Sequence, residues 1–222
     1  MSKLIIVNWK SNKTAATAIE WSQQFNVEIK DSVEIIVAAS YHLLAVVREH
    51  LPESVHLAAQ DVSSFPMGSY TGAVNAQQLK DMKVTHCIVG HSERRKYFHE
   101  THQDIAAKIS QLVTNNIAPI LCVDEDYVVE QADALESKNI PNLIVAYEPL
   151  SAIGSGNNAP ADQVTRVVEK IHQVYGDVPV IYGGSVDERS VNEYLLVSDG
   201  VLVGGASLEP SNFSKVVAAA QG

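Results

Sequence analysis

The stretch LIVAYEPLSAIGSG, residues 143–156, decides how this chain reads. Four apolar residues lead to Tyr147 and the carboxylate Glu148; Pro149 then opens a loop holding Gly154 and Gly156. A near-continuous apolar run is the pattern of a strand covered on both faces. Seven similar runs lie along the chain: LIIVNWK from Leu4, VEIIVAAS from Val33, VHLAAQDV from Val55, HCIVGHSE from His86, APILCVDE from Ala118, VPVIYGGS from Val178 and GVLVGGAS from Gly200. Helix-like stretches separate them, including AATAIEWSQQF, HQDIAAKISQLVTNN and ADQVTRVVEKIHQVYG. The last sets Val164, Val167, Val168 and Ile171 at helical spacing, starts after Pro160 and stops at Gly176. Eight strands alternating with helices predict an α/β chain, one domain over residues 1–222, closed as an eight-stranded parallel β/α barrel. A doubly wound open sheet is built from the same alternation. The polar residues favour the barrel. Asn8, Lys10, Gln60, Asp61, His91, Glu93, Glu148, Ser185, Gly204 and Gly205 all fall where strands end, and barrels carry their active sites at the C-terminal strand ends.

Composition narrows the function classes. The chain is 46% hydrophobic and 19% charged, which supports a large core and argues against disorder. Sixteen basic residues against 26 acidic ones leave a formal charge of −10. That disfavours nucleic acid as a partner, although local donors still suit a small anion. The opening MSKLIIVNWK lacks the apolar core of a signal peptide, and no apolar run reaches the roughly 20 residues that cross a bilayer. No membrane partner and a cytoplasmic location are expected. Cys87 and Cys122 lie inside strand-like runs and read as buried thiols rather than a disulfide or metal pair.

The strand-end residues carry the chemistry. IYGGSVD and VLVGGASLEP each place two glycines directly after a strand. Glycines let backbone N–H groups approach an anion, and the loops after strands seven and eight are the usual phosphate cradle of a barrel. Turn-making is the competing explanation for either pair alone. Lys10 reads as a solvated strand-end charge, a fixed cation near a phosphorylated substrate, or a Schiff-base nucleophile. His91 in IVGHSERR is structural or catalytic; Glu93 is an acid or half of an ion pair. Arg94 and Arg95 read as structural ion-pair partners. Trp9 points away from Asn8 and Lys10 and reads as packing. Glu148 is the base candidate, because the proline and glycines around its loop resemble a hinged lid whose closure desolvates the carboxylate and strengthens it. A carboxylate base, a polarising His91 and a phosphate cradle point to proton transfer next to a carbonyl.

Together the motifs VNWK, TGAV, IVGHSERR, APILCVDE, AYEPLSAIGSG, YGGSV and VLVGGASL resemble the triosephosphate isomerase family, in family order and over essentially the whole chain. The resemblance implies an aldose–ketose isomerase acting on dihydroxyacetone phosphate and D-glyceraldehyde 3-phosphate in glycolysis and gluconeogenesis. Glu148 would shuttle the proton and His91 would act as neutral electrophile. Asn8 and Lys10 would bind substrate and stabilise an enediolate. Glu93 would orient the polar network. Gly154, Ser185, Gly204 and Gly205 would hold the phosphate, and Tyr182 would bond the shut lid. No metal or organic cofactor is implied. A homo-oligomer is implied, the dimer favoured over the tetramer, with Phe65, Met67 and Tyr70 on a loop inserting into the neighbour; packing of that loop on its own barrel is the alternative. Three departures stand out. Ser151 replaces a bulky lid tryptophan, and Ala73 replaces a carboxylate that ties its loop to the GHSERR arginines. The segment between CVDE and AYEP is also short, which trims the helix after strand five. The rival readings are an aldolase using Lys10 and a barrel that has lost activity.

Overall fold

Strand β1 (Lys3–Asn8) bonds to β2 (Val33–Ala39) on one side and to β8 (Gly200–Val203) on the other, and the second pairing closes the sheet. These come from a computed structural model that describes residues 2–135, 137, 139–150 and 158–222. Between β2 and β8 the barrel runs in chain order through β3 (Val55–Ala59), β4 (His86–Val89), β5 (Ala118–Val123), β6 (Ile144–Tyr147) and β7 (Val180–Tyr182), every pairing parallel. The open-sheet alternative is thereby excluded. Closure depends on one glycine: a Cβ on Gly200 would lie 2.2 Å from the Leu4 carbonyl oxygen, so a side chain there would push β8 off β1.

Helices clothe the barrel: α1 (Ala15–Gln24), α2 (Leu44–His50), α3 (Ala76–Asp81), α4 (Ser92–Phe98), α5 (His102–Thr114), α6 (Tyr127–Asp133), α7 (Ala161–Tyr175), α8 (Val191–Leu195) and α9 (Pro210–Ala220). Local sequence starts several of them. Thr14, Asn75 and Thr101 each accept a hydrogen bond from the backbone N–H three residues on, and Thr17, Gln78 and Asp104 reach back to complete the box. The α6 helix is seven residues long, in keeping with the short segment after strand five. Among the described residues no helix is long and apolar enough to cross a membrane.

Two apolar layers follow from strand alternation. One packs between sheet and helices and includes Ile5, Val7 and Trp9. There Trp21 of α1 stacks on Phe25 at 5.0 Å, meets Trp9 edge-on at 4.9 Å, and lies 5.8 Å from Phe213 of α9. The other layer fills the barrel with Leu4, Ile6, Ile36, Ala38, Ala58, Ile88, Ile120, Cys122, Ile144, Ala146, Ile181 and Leu202. Continuing that inner set two residues along each strand gives Asn8, Ser40, Gln60, Gly90, Asp124, Glu148, Gly183 and Gly204. The barrel therefore aims this one set of strand-end residues at its C-terminal mouth. Both cysteines are free and buried.

Candidate active site

Asn8, Lys10, His91, Glu148, Ser185, Gly204 and Gly205 line one cavity of about 500 Å³ at the C-terminal end of the barrel. A larger depression of about 880 Å³ opens at the opposite end, around Glu34, His86 and Asp177. It contains none of the inward-facing C-terminal strand-end groups, so the smaller one is the candidate site.

Glu148 follows β6, where its backbone N–H bonds the Val123 carbonyl at 2.9 Å, and its side chain is 4% exposed. Oε1 lies 3.2 Å from His91 Nε2, while Oε2 is buried without a hydrogen-bond partner among the described residues. Room for this carboxylate comes from Gly183, where a Cβ would sit 2.8 Å from Glu148 Cγ. Burial pushes the Glu148 carboxyl up, but His91, Lys10 and the Cys122 thiol outweigh it and hold it below the usual value. The sequence suggested a base strengthened by desolvation. In this pocket the His91 contact reverses that sign.

His91 caps α4: its Nδ1 accepts from the Glu93 backbone N–H at 3.2 Å. That bond assigns the neutral tautomer, with the proton on Nε2 facing Glu148. Burial disfavours the imidazolium, yet the Glu148 carboxylate more than offsets this and raises the His91 pKa. A molecule inserted between the two would remove that upward pull. Burial and the helix amide would remain, and both favour the neutral ring.

Lys10 stands two residues beyond β1 with φ +50°. Its Nζ meets Glu93 Oε1 at 2.6 Å, and its N–H bonds Asn8 Oδ1 at 3.0 Å. With Oδ1 engaged, the Asn8 amide NH₂ is left to serve as a donor in the cavity. Glu93 thus bridges the sides of the site: its carboxylate takes Lys10 and its N–H takes His91.

The two glycine pairs differ. None of Gly183, Gly184, Gly204 and Gly205 has positive φ, so a left-handed turn explains neither pair. A Cβ on Gly184 would meet Tyr182 Oη at 2.0 Å. Among the described residues a Cβ at Gly205 would meet nothing within 4 Å, and one at Gly204 only Lys10 Cε at 3.9 Å. A Cβ at Gly204 or Gly205 would crowd little except the cavity that both line. Tyr182 Oη accepts from the Ala159 N–H at 2.9 Å, and Tyr194 Oη donates to the Ala159 carbonyl at 2.8 Å, fixing the chain just past residues 151–157. Gly154 and Ser151 lie outside the described residues.

The arginines split. Arg94 pairs with Asp61 at 2.8 Å and with Glu100, while Lys108 joins the same two acids, closing a four-charge cluster away from the cavity. Arg95 departs from the expected ion pair. It donates to the Gly90 carbonyl at 2.8 Å and to Gln131 Oε1 at 3.0 Å, and no carboxylate among the described residues pairs with it. Sequence reasoning placed Gly183 in the phosphate cradle, Gln60 among the strand-end polar residues and Cys122 among the buried thiols, but it did not see Gly183 or Cys122 beside Glu148, or Gln60 beside Lys10. Strand parity was the signal that turns all three inward, Gln60 and Gly183 at the mouth and Cys122 in the layer beneath it. Among the described residues no group of three or more His, Cys, Asp or Glu could hold a metal ion.

Residues 3–220 match the triosephosphate isomerase family. The chain is 36% identical to "Triosephosphate isomerase" of Mesomycoplasma hyopneumoniae (strain 7448), over 98% of this chain and 99% of that protein. It is 37% identical to the protein of that name from Mesomycoplasma hyorhinis, over 98% of each. It is 36% identical to the one from Synechococcus sp. (strain JA-2-3B'a(2-13)), over 96% of this chain and 95% of that protein. Fold, motifs and full-length similarity agree: the chain belongs to the triosephosphate isomerase family.

Proposed function

We propose that this chain, acting as one barrel domain over residues 1–222, interconverts dihydroxyacetone phosphate and D-glyceraldehyde 3-phosphate. The observation that carries the reading is the buried Glu148–His91 contact, 3.2 Å long, in a cavity also lined by Lys10 and two glycine loops. Substrate binds with its phosphate on the backbone amides around Ser185, Gly204 and Gly205, joined by Gly154 of the lid. Its carbonyl oxygen enters between the two side chains. Glu148 takes a proton from C1 while His91 Nε2–H donates a hydrogen bond to the C2 oxygen. The charge that develops on the enediolate is met by Lys10 and the Asn8 amide. Glu148 then returns the proton to C2, the hydroxyl proton moves from O1 to O2 by way of His91, and no net proton is gained or lost. Lid closure excludes water; this family's loop is itself a standard illustration of that gating.

The contact with Glu93 at 2.6 Å supports Lys10 as a fixed electrostatic partner rather than as a Schiff-base nucleophile. Phe65, Met67 and Tyr70 are 51%, 61% and 43% exposed, and Phe65 stacks on Tyr70 at 4.5 Å without burying against the barrel. This supports a homodimer in which the loop inserts into a neighbour; the family resemblance adds the expectation that the protein works in the cytoplasm. A coupled assay on glyceraldehyde 3-phosphate tests the reading. Glu148→Gln is expected to lower kcat by about 10²- to 10⁴-fold, the usual worth of a general base. Near-normal turnover by that variant, or none by the parent, overturns it.

A further inference from the structure

We infer that Gln60 is a positioning residue for Lys10: its amide holds the lysine backbone in a left-handed conformation and so fixes where the ammonium stands. The inference rests on the isomerase reading. Lys10 is not glycine, yet its φ is +50°. Left-handed backbone is unfavourable for a residue with a side chain and persists only where the surroundings impose it. Here they do so at the Lys10 carbonyl. Gln60 Nε2 donates to it at 3.1 Å and, with its other hydrogen, to the Ala38 carbonyl at 3.0 Å. This fixes the amide, because the flipped form would set an oxygen against two carbonyls. The Ser40 hydroxyl lies 3.2 Å from both the Lys10 carbonyl and Gln60 Oε1, so its one proton serves either.

Ser40 follows β2 and Gln60 follows β3, and both belong to the inward-facing set of strand-end residues. The ends of three neighbouring strands are thus stitched together beneath one lysine. Released from this grip, Lys10 would relax toward ordinary φ. Its Nζ would then leave the position defined by Glu93, and catalysis is sensitive to such displacement. A positioning role for Gln60 predicts a loss that is expressed through Lys10 and nowhere else.

The test is a double-mutant cycle on the full-length protein. Gln60→Met keeps the volume and removes the donor. In the parent background it is expected to raise KM for glyceraldehyde 3-phosphate, and Ki for inorganic phosphate as competitor, by roughly tenfold, with a smaller change in kcat. In a Lys10→Met background the same substitution is expected to change kcat/KM by less than about twofold. Equal losses in both backgrounds would make Gln60 merely structural and overturn the inference, as would parent-like constants for Gln60→Met. Ser40→Ala, a milder change, is expected to shift KM in the same direction by about threefold; an unchanged KM there counts against the inference even where Gln60→Met does not fold. Full activity of Lys10→Met would overturn the isomerase role of Lys10 itself, an outcome distinct from the others.

Discussion

His91 and Glu148 meet at 3.2 Å across the mouth of the barrel, His91 two residues past the end of β4 and Glu148 at the end of β6, with β5 between them. Each sets the other's proton affinity: the carboxylate is held below its ordinary value and the imidazole above.

The pair gives stability a pH signature. The carboxylate's share is present above roughly pH 4.3 and is lost as pH falls through its lower native value. The imidazole's share is full below roughly pH 6.5 and is lost as pH rises through its raised native value. Their contributions overlap between those limits. In Glu148→Gln this overlap is expected to vanish from a series of urea midpoints against pH. In the same variant burial and the Lys10 cation outweigh Glu93 at His91, so its imidazole NMR titration should move below the ordinary value. A titration identical to the parent's would refute the coupling.

The two glycine loops predict opposite phenotypes. Gly183→Ala drives a methyl group to 2.8 Å from Glu148 Cγ and should displace the base, lowering kcat by at least about tenfold. Gly205→Ala meets no atom within 4 Å among the described residues, so its melting temperature should match the parent's while KM for the phosphorylated substrate rises. Equal kcat and KM values in Gly183→Ala and parent would count against the packing argument.

The loop carrying Phe65, Met67 and Tyr70 is expected to join subunits. Replacing the exposed Phe65 and Met67 with aspartate should place charge in an apolar contact and shift sedimentation toward monomer. An unaltered assembly in the double variant would assign the loop another role.

Trp21 anchors the helical layer. It is 1% exposed, touches Trp9, Phe25 and Phe213, and donates through Nε1 to the Ser207 carbonyl at 2.9 Å. Trp21→Ala should destabilise the fold by about 3–5 kcal/mol, read by denaturant unfolding. A loss below about 1 kcal/mol would mean that α1 and α9 hold without this cluster.

Much of this was legible in the sequence because periodicity is local. Each apolar run contains its strand whole, except that LIIVNWK misses Lys3 at the start of β1, and the Val164, Val167, Val168 and Ile171 spacing is the buried face of α7. Glu148 was legible as an acid ending an apolar strand. The partners of Arg95 were not, since a guanidinium held by carbonyls leaves no complementary acid to notice. Nor was the Gln60 contact with Lys10, which spans 50 positions and depends on β1, β2 and β3 lying side by side. The reversal of the Glu148 shift also needed coordinates, because it turns on one distance between residues from different strands.

The pairing of Leu4 with Gly200 has a consequence for biosynthesis. During synthesis β1 emerges with one edge that only β8 satisfies, and β8 does not begin until Gly200. Until then the nascent polypeptide carries an unzipped flank open to mispairing. The ring of strand-end residues at the barrel mouth is complete only once β8 has emerged and docked on β1.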